Sequence, residues 1–156
     1  TASSGVSPEA QQRLNSVASA LGFAVTSEGF QELLARLRSA FAFQGYVAET
    51  QCRGITHLQL ETIVGFARKE CIAGGAWFDT APLSISKTSG QPLDMQMLNL
   101  YHLNTWCIMP ATAEADCAFV ELLTAQPQPP RWFCSHWWGE PIEAFLRCVA
   151  RHQRVR

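Results

Sequence analysis

The stretch PRWFCSHWWGEPIEAFLRCVARH, residues 130–152, decides the fold of the C-terminal region. It opens with the aromatic run 132–134, which is typical of a β-strand, and breaks at the polar turn 135–141. An amphipathic helix follows, because Pro141 suits a first helical position and apolar residues then recur at helical spacing. These apolar residues are Ile142, Phe145, Leu146 and Val149. A strand, a tight turn and a helix predict the first half of a βαβ unit.

The turn after the predicted strand is the candidate binding site. Ligands of α/β proteins lie at the carboxyl ends of strands, and free N–H groups at a helix start attract anions such as phosphate. The candidate residues are Ser135, His136, Trp137, Trp138, Gly139 and Glu140. Glu140 places a negative charge where an anion would lie, and the alternative is that the tryptophans are packing anchors. No catalytic residue is predicted, because neighbours such as Ser135 and His136 point to opposite faces of a strand.

A zinc site is a second candidate in the same stretch. Cys134 and His136 share one face of the predicted strand, and Cys148 and His152 share one face of the predicted helix. The strand and the helix of such a unit have their carboxyl ends at opposite edges, so the two histidines are expected roughly 20 Å apart. The sequence therefore predicts neither a metal site nor another cofactor.

Three helices are predicted between residues 7 and 75. The first begins after Ser7 and ends at Gly22, and the second begins after Ser27. The third begins at Thr56, which forms a capping box with Gln59. Apolar residues at helical spacing give each helix one buried face. In the second helix these residues are Phe30, Leu33, Leu34, Leu37 and Phe41.

The middle of the chain has a weaker pattern. Residues 83–86 alternate in polarity and predict a short strand, and residues 88–92 predict a turn. A helix is predicted over about 94–108, ended by Pro110, with a strand as the alternative for its second half, whose spacing fits both. The remaining predictions are a short helix over 117–123 and a stiff extended connector over 126–130.

These elements predict a mainly α chain that ends in a partial α/β segment. The domain prediction is a helical unit over 1–75, an irregular connector over 76–92 and the partial α/β segment over 93–156. A single strand leaves its backbone donors and acceptors unpaired, so it needs a partner strand. Residues 83–86, a region beyond residue 156 or another chain are the three candidates for that partner.

Composition narrows the function classes. The chain has 156 residues, 47% of them hydrophobic and 16% charged, and a net charge of −1, so a sizeable core is expected and nucleic acid is not an expected partner. No apolar run reaches the roughly 18 residues of a membrane span.

Six scattered cysteines without a CxxC pair suit a reducing, intracellular compartment. Because the first residue is Thr1 and not methionine, an organellar targeting segment removed from the start is also possible.

Residues 98–156 resemble a protist and dinoflagellate protein family. That family pairs an NLYHxN…PAT…CxFVEL segment with a WFxSHWWGEP segment, which correspond here to 99–104, 110–112, 117–122 and 132–141. The Ser-His-Trp part is similar to the first strand and first helix of TIR-like domains, which have a flavodoxin-like α/β fold.

The resemblance implies two functions. TIR domains either assemble signalling complexes or cleave NAD, and the end of the first strand contributes to the NAD pocket. By that analogy Ser135, His136 and Trp137 lie on the pocket rim, whereas Glu140 does not match the catalytic glutamate of a later helix. The later strands and that glutamate are absent from these residues, so NAD cleavage is the alternative and not the first expectation.

The first expectation is a non-enzymatic interaction or structural component, as a subunit or fragment of a larger assembly. Its predicted contact surface lies between Trp132 and Trp138 and binds a protein partner or a second copy of the chain. The alternative is a TIR-like NAD-processing or nucleotide-binding domain without its downstream half.

Overall fold

The computed structural model describes residues 6–74 and 77–154, and within them the chain is mainly α-helical. The α-helices are α1 (Pro8–Ala20), α2 (Glu28–Ala40), α3 (His57–Gly74), α4 (Leu100–Leu103), α5 (Met109–Thr112) and α6 (Ile142–Arg154). Asn104–Ile108 is a π-helical segment between α4 and α5, and Thr50–Cys52 and Phe119–Leu122 are short 3₁₀ helices. The prediction of a mainly α chain is confirmed.

The first three helices begin and end where local sequence signals place them. The Ser7 hydroxyl accepts a hydrogen bond from the Ala10 N–H at the start of α1, and Gly22 follows that helix with φ at +76°. At the start of α3, the Gln59 N–H donates to the Thr56 hydroxyl over 3.2 Å. The Gln59 side chain accepts from the Thr56 N–H over 2.9 Å, so the capping box is confirmed.

The core is one cluster that draws residues from all parts of the described chain. Leu14 in α1, Phe30 in α2 and Ile142 in α6 belong to it. Two tryptophans at its centre, Trp77 and Trp106, stack with ring centroids 5.8 Å apart. Buried residues from 6–74 and from 93–142 therefore belong to one core.

The segment 82–92 is a pair of turns. The N–H groups of Ile85 and Ser86 both donate to the Pro82 carbonyl, so the predicted strand over 83–86 is wrong. The Gln91 N–H donates to the Thr88 carbonyl, which confirms the turn predicted over 88–92. Alternating polarity failed as a signal because Leu83 and Ile85 are both exposed and have no second strand to pack against.

The helix predicted over 94–108 lies further along the chain. Residues 95–97 form a turn, and the helical stretch runs from Leu100 to Thr112. Pro110 lies inside this stretch and does not end it, which contradicts the prediction. The π-helical segment comes directly before it, where the Met109 N–H donates to the Asn104 carbonyl five residues back. This wider turn accommodates a residue that has no N–H to donate.

The aromatic run 132–134 is not a β-strand. Residues 132–137 have no regular secondary structure, and the described residues contain only isolated bridges, at Arg53–Gln128, Phe78–Pro92 and Asn99–Pro141. The predicted helix after it is present as α6, so the helical half of the strand–helix unit forms without the strand. The physical reason is that a strand needs a neighbour, and the candidate at 83–86 is a turn.

Two polar contacts hold the irregular segments in place. Glu121 is fully buried and accepts hydrogen bonds from the N–H groups of Val47 and Ala118, with Arg53 3.1 Å away. Burial alone would raise the pKa of Glu121, but these donors together lower it. The side chain of Gln128 reaches the Gly54 carbonyl over 2.9 Å, which pins the connector predicted over 126–130 against the start of α3.

Candidate functional site

The turn 135–141 lies against the chain just before α4. The Leu100 N–H donates to the Trp138 carbonyl over 3.1 Å, and the Ile142 N–H donates to the Leu98 carbonyl over 2.8 Å. These two bonds flank the Asn99–Pro141 bridge. The turn is therefore fixed to the core on both of its sides.

Gly139 lies in close contact with the Trp137 ring in this turn. A Cβ atom at Gly139 would lie 2.3 Å from Cζ2 of Trp137, well inside van der Waals contact. The Trp137 ring therefore lies directly over Gly139 and remains 72% exposed. The next ring, that of Trp138, contacts the ring of Tyr101 with centroids 5.5 Å apart.

A cleft of about 770 Å³ lies beside this turn. Trp137, Gly139 and Pro141 line it from the turn, and Tyr101 lines it from α4. Such a volume is in the range of small-molecule sites. The other lining residues come from the segments 79–88 and 96–105.

Only part of the predicted site reaches the cleft. Trp137 and Gly139 line it, whereas Ser135, His136, Trp138 and Glu140 do not. The His136 ring instead stacks on Phe145 with centroids 4.0 Å apart, and its Nδ1 lies 3.8 Å from Glu140 Oε2. Two of the six predicted residues therefore line the cleft.

Asp79 organises another part of the cleft lining. This buried carboxylate accepts hydrogen bonds from the Ser86 hydroxyl at 2.5 Å, from the Thr88 hydroxyl at 2.7 Å and from the Ala81 N–H at 2.9 Å. His102 Nε2 lies 3.5 Å from Asp79 Oδ1. Burial by itself would raise the pKa of Asp79, but the three donors and the nearby histidine lower it below its usual value.

Both ring nitrogens of His102 have a neighbour, because Nε2 lies near Asp79 and Nδ1 accepts from the Asn99 N–H over 3.3 Å. The backbone N–H of His102 also donates to the Asn99 side chain over 3.2 Å. The Ser86 hydroxyl is bonded to Asp79 and not to the histidine. A serine activated by a histidine base is therefore not formed here, and the cluster stabilises the cleft wall.

Sequence reasoning did not find this cluster. The short-range part has a local signal, because an Asp whose side chain accepts the N–H two residues later is a common turn. The contact between Asp79 and His102 has no such signal, since the two residues are brought together by packing. Trp106, whose indole N–H donates to the Phe78 carbonyl over 2.9 Å, holds the two segments in that arrangement.

The cysteines and histidines of 134–152 do not form a metal site. Among the residues that the structure describes, no three His, Cys, Asp or Glu side chains lie close enough to hold an ion. His152 packs edge-on against Trp132 with ring centroids 4.6 Å apart. All six cysteines fall in the described ranges, and each is a free thiol.

No described helix is both long enough and apolar enough to cross a membrane. No match to this chain was found among models of protein families, among curated proteins or among solved structures.

Proposed function

We propose that this protein is a non-enzymatic interaction component that binds an extended, acidic segment of a partner protein along residues 131–138. The observation that carries the proposal is the backbone of Phe133, Cys134 and Ser135, which makes no hydrogen bond to any described residue. Unpaired backbone groups in an exposed segment are a template for the addition of a strand.

The side chains of the same segment support a protein partner. Phe133 is 94% exposed, and Trp132, Trp137 and Trp138 are exposed as well. Large aromatic residues are the side chains that most often contribute to the energy of protein interfaces. Phe133 lies within the unpaired backbone and the three tryptophans flank it, so one extended partner segment would cover both features.

The charges near this segment support an acidic partner. Arg131, Arg147, Arg151 and Arg154 are exposed, and none forms an ion pair with another described residue. The last three recur at helical spacing on one face of α6. The carboxylate of Glu143 is already paired with Arg68 over 2.7 Å. The surface around 131–154 therefore has uncompensated positive charge.

The test is binding of a labelled peptide in which valine and glutamate alternate, measured by fluorescence anisotropy. We expect salt-dependent binding that the Phe133→Ser variant weakens by about tenfold, the equivalent of 1.4 kcal/mol. Phe133→Pro, which also removes a backbone donor, should weaken it further. Leu83→Ser is the matched control, because Leu83 is 76% exposed but lies outside the segment.

Three results would contradict the proposal. The first is no binding to the unchanged protein, and the second is equal weakening by Phe133→Ser and Leu83→Ser. The third is a dimer of the chain alone that Phe133→Ser abolishes in sedimentation experiments, because a second copy would then be the occupant.

The alternative function is TIR-like binding or cleavage of NAD, and the cleft is the observation that favours it. Its exposed rings, Tyr101 and Trp137, suit stacking of a base. Its lining contains no arginine or lysine, so a pyrophosphate would find no cation there. Incubation with NAD separates the two functions: release of nicotinamide that Trp137→Ala reduces would favour the alternative, and no release favours the interaction component.

A further inference from the structure

The segment 132–136 runs antiparallel to α6. At one end the Trp132 ring contacts the His152 ring, with centroids 4.6 Å apart. At the other end the His136 ring stacks on Phe145, with centroids 4.0 Å apart. The later residue of the segment thus contacts the earlier residue of the helix, which sets both the direction and the register.

The same two contacts favour an extended segment. The seven residues from Phe145 to His152 rise about 10 Å along a helix. Four residues span about 13 Å when extended but only about 6 Å in a helix, so an extended backbone matches this distance better. Alternate side chains of an extended segment point to opposite sides, so Trp132, Cys134 and His136 face α6. The 94% exposure of Phe133 agrees with this alternation.

Cys134 is therefore midway between the two contacts and faces the helix. Midway between them on α6 is Cys148, three residues after Phe145 and four residues before His152, hence on the same helix face as both. Cys134 and Cys148 are both exposed free thiols. The register therefore puts Cys134 and Cys148 at matching positions along the segment and the helix.

We propose that Cys134 and Cys148 form a dithiol site that low-molecular-weight disulfides, such as oxidised glutathione, oxidise to an intramolecular disulfide. The Cys134 thiolate attacks one sulfur of oxidised glutathione, which forms a mixed disulfide and releases one glutathione thiolate. The Cys148 thiolate then attacks the Cys134 sulfur and displaces the second glutathione thiolate. Each cysteine loses one proton, the protein loses two electrons, and two glutathione molecules leave in the reduced form.

The other four cysteines are poorer reaction partners. Cys107 and Cys71 are buried, and burial raises the pKa of Cys71 to about 11. Burial also raises the pKa of Cys52, Cys107 and Cys117. Because the thiolate is the reactive form, these four react more slowly than an exposed thiol.

The disulfide would fasten the segment to α6. Residues 131–138 would then be held extended from the side that faces the helix, and Phe133 on the other side would stay exposed to a partner. The dithiol site does not depend on the partner, because its chemistry takes place within one chain.

The experiment is incubation of the reduced protein with oxidised glutathione at mildly alkaline pH, followed by thiol counting and digestion without reductant. We expect two of the six thiols to be lost and a peptide pair joined through Cys134 and Cys148 in the mass spectrum. Cys134→Ser and Cys148→Ser should each give a glutathione adduct on the remaining cysteine and no cross-link. Cys52→Ser is the matched control and should keep the cross-link.

A second measurement uses dibromobimane, which becomes fluorescent when it bridges two neighbouring thiols. Fluorescence should appear with the unchanged protein and with Cys52→Ser, and should be lost with either serine variant of the pair. Stable glutathione adducts on both Cys134 and Cys148 of the unchanged protein, or a disulfide that joins two chains, would overturn the proposal. A failure of partner binding would leave these readouts unchanged, so the two proposals fail separately.

Discussion

Gly139 and Asp79 both line the cleft and shape it in different ways. Gly139 has no side chain, and that absence leaves room for the Trp137 ring. Asp79 has a buried carboxylate whose charge is satisfied by hydroxyl and N–H donors from its own loop. Gly139 acts by leaving room for a ring, and Asp79 acts through its charge. Substitutions at the two positions should therefore affect the protein differently.

Gly139→Ala should displace the Trp137 ring without unfolding the protein. The new Cβ would lie 2.3 Å from a ring carbon, but the ring is 72% exposed and can move into solvent. We expect a stability change below about 1 kcal/mol and a clear change in near-UV circular dichroism. Gly65→Ala is the control, because its Cβ meets nothing within 4 Å in α3, and it should stabilise the protein by up to about 1 kcal/mol. An unchanged aromatic spectrum of Gly139→Ala would contradict the contact.

Glu121→Gln should destabilise the protein by roughly 2–3 kcal/mol. The carboxylate accepts the N–H groups of Val47 and Ala118 and neutralises Arg53, and a carboxamide cannot do all three. Unfolding in urea measures the effect. Glu28→Gln, at an exposed position that forms no ion pair among the described residues, should change stability by less than about 0.5 kcal/mol. Equal effects of the two substitutions would contradict a special role for Glu121.

The helices follow local signals, and two serine caps show how far such signals reach. Both Ser7 and Ser27 precede a helix, and from sequence both are predicted caps. Ser7 makes its cap hydrogen bond, whereas the Ser27 hydroxyl is buried without a hydrogen-bond partner among the described residues. A serine before the helix thus marks where the helix begins in both cases. Whether its hydroxyl forms the cap hydrogen bond depends on the side-chain rotamer and its surroundings.

Ser7→Ala and Ser27→Ala should therefore differ. Loss of the Ser7 cap should cost about 1 kcal/mol of the free energy of unfolding. Ser27→Ala removes a buried hydroxyl that lacks a partner, so it should be neutral or slightly stabilising. Urea unfolding of both variants under one set of conditions is the measurement. A larger loss for Ser27→Ala than for Ser7→Ala would show that the Ser27 hydroxyl does cap α2.

Elements whose signals are local were predictable, and elements that need a distant partner were not. The capping box of Thr56 with Gln59 was correct because its two bonds link residues three apart. The strands at 83–86 and 132–134 were wrong because a strand exists only when it pairs, and the sequence does not record which segments meet. The helix around Pro110 was placed incorrectly because a π-helical turn compensates for the missing N–H.

The whole molecule gathers its buried carboxylates at the points where irregular segments meet. Asp79 joins the segment 79–88 to α4, and Glu121 joins the segment 47–53 to the Phe119–Leu122 turn. Both carboxylates have a lowered pKa in the folded protein. The unfolded chain therefore binds more protons than the folded chain as the pH falls toward their ordinary values.

Stability should accordingly be lost in acid. The contribution of Asp79 and Glu121 is fully present above about pH 5 and declines as the pH falls through the lowered folded-state pKa values. Urea unfolding between neutral pH and pH 3 is the measurement. The double variant Asp79→Asn with Glu121→Gln should have lower stability at neutral pH and a flatter dependence on pH. A variant that keeps the full acid dependence would show that other carboxylates cause it.

Four helices, α1, α2, α3 and α6, follow from the sequence alone, because caps and apolar spacing act between residues three or four positions apart. The sequence also pointed to the aromatic residues of 132–138 as a contact surface, although it predicted a strand for the first of them. Only the tertiary structure decided that Asp79 meets His102, that Trp137 covers Gly139, and that 132–136 lies along α6. These contacts join residues whose proximity depends on how the whole core packs, and no local pattern in a chain encodes that packing.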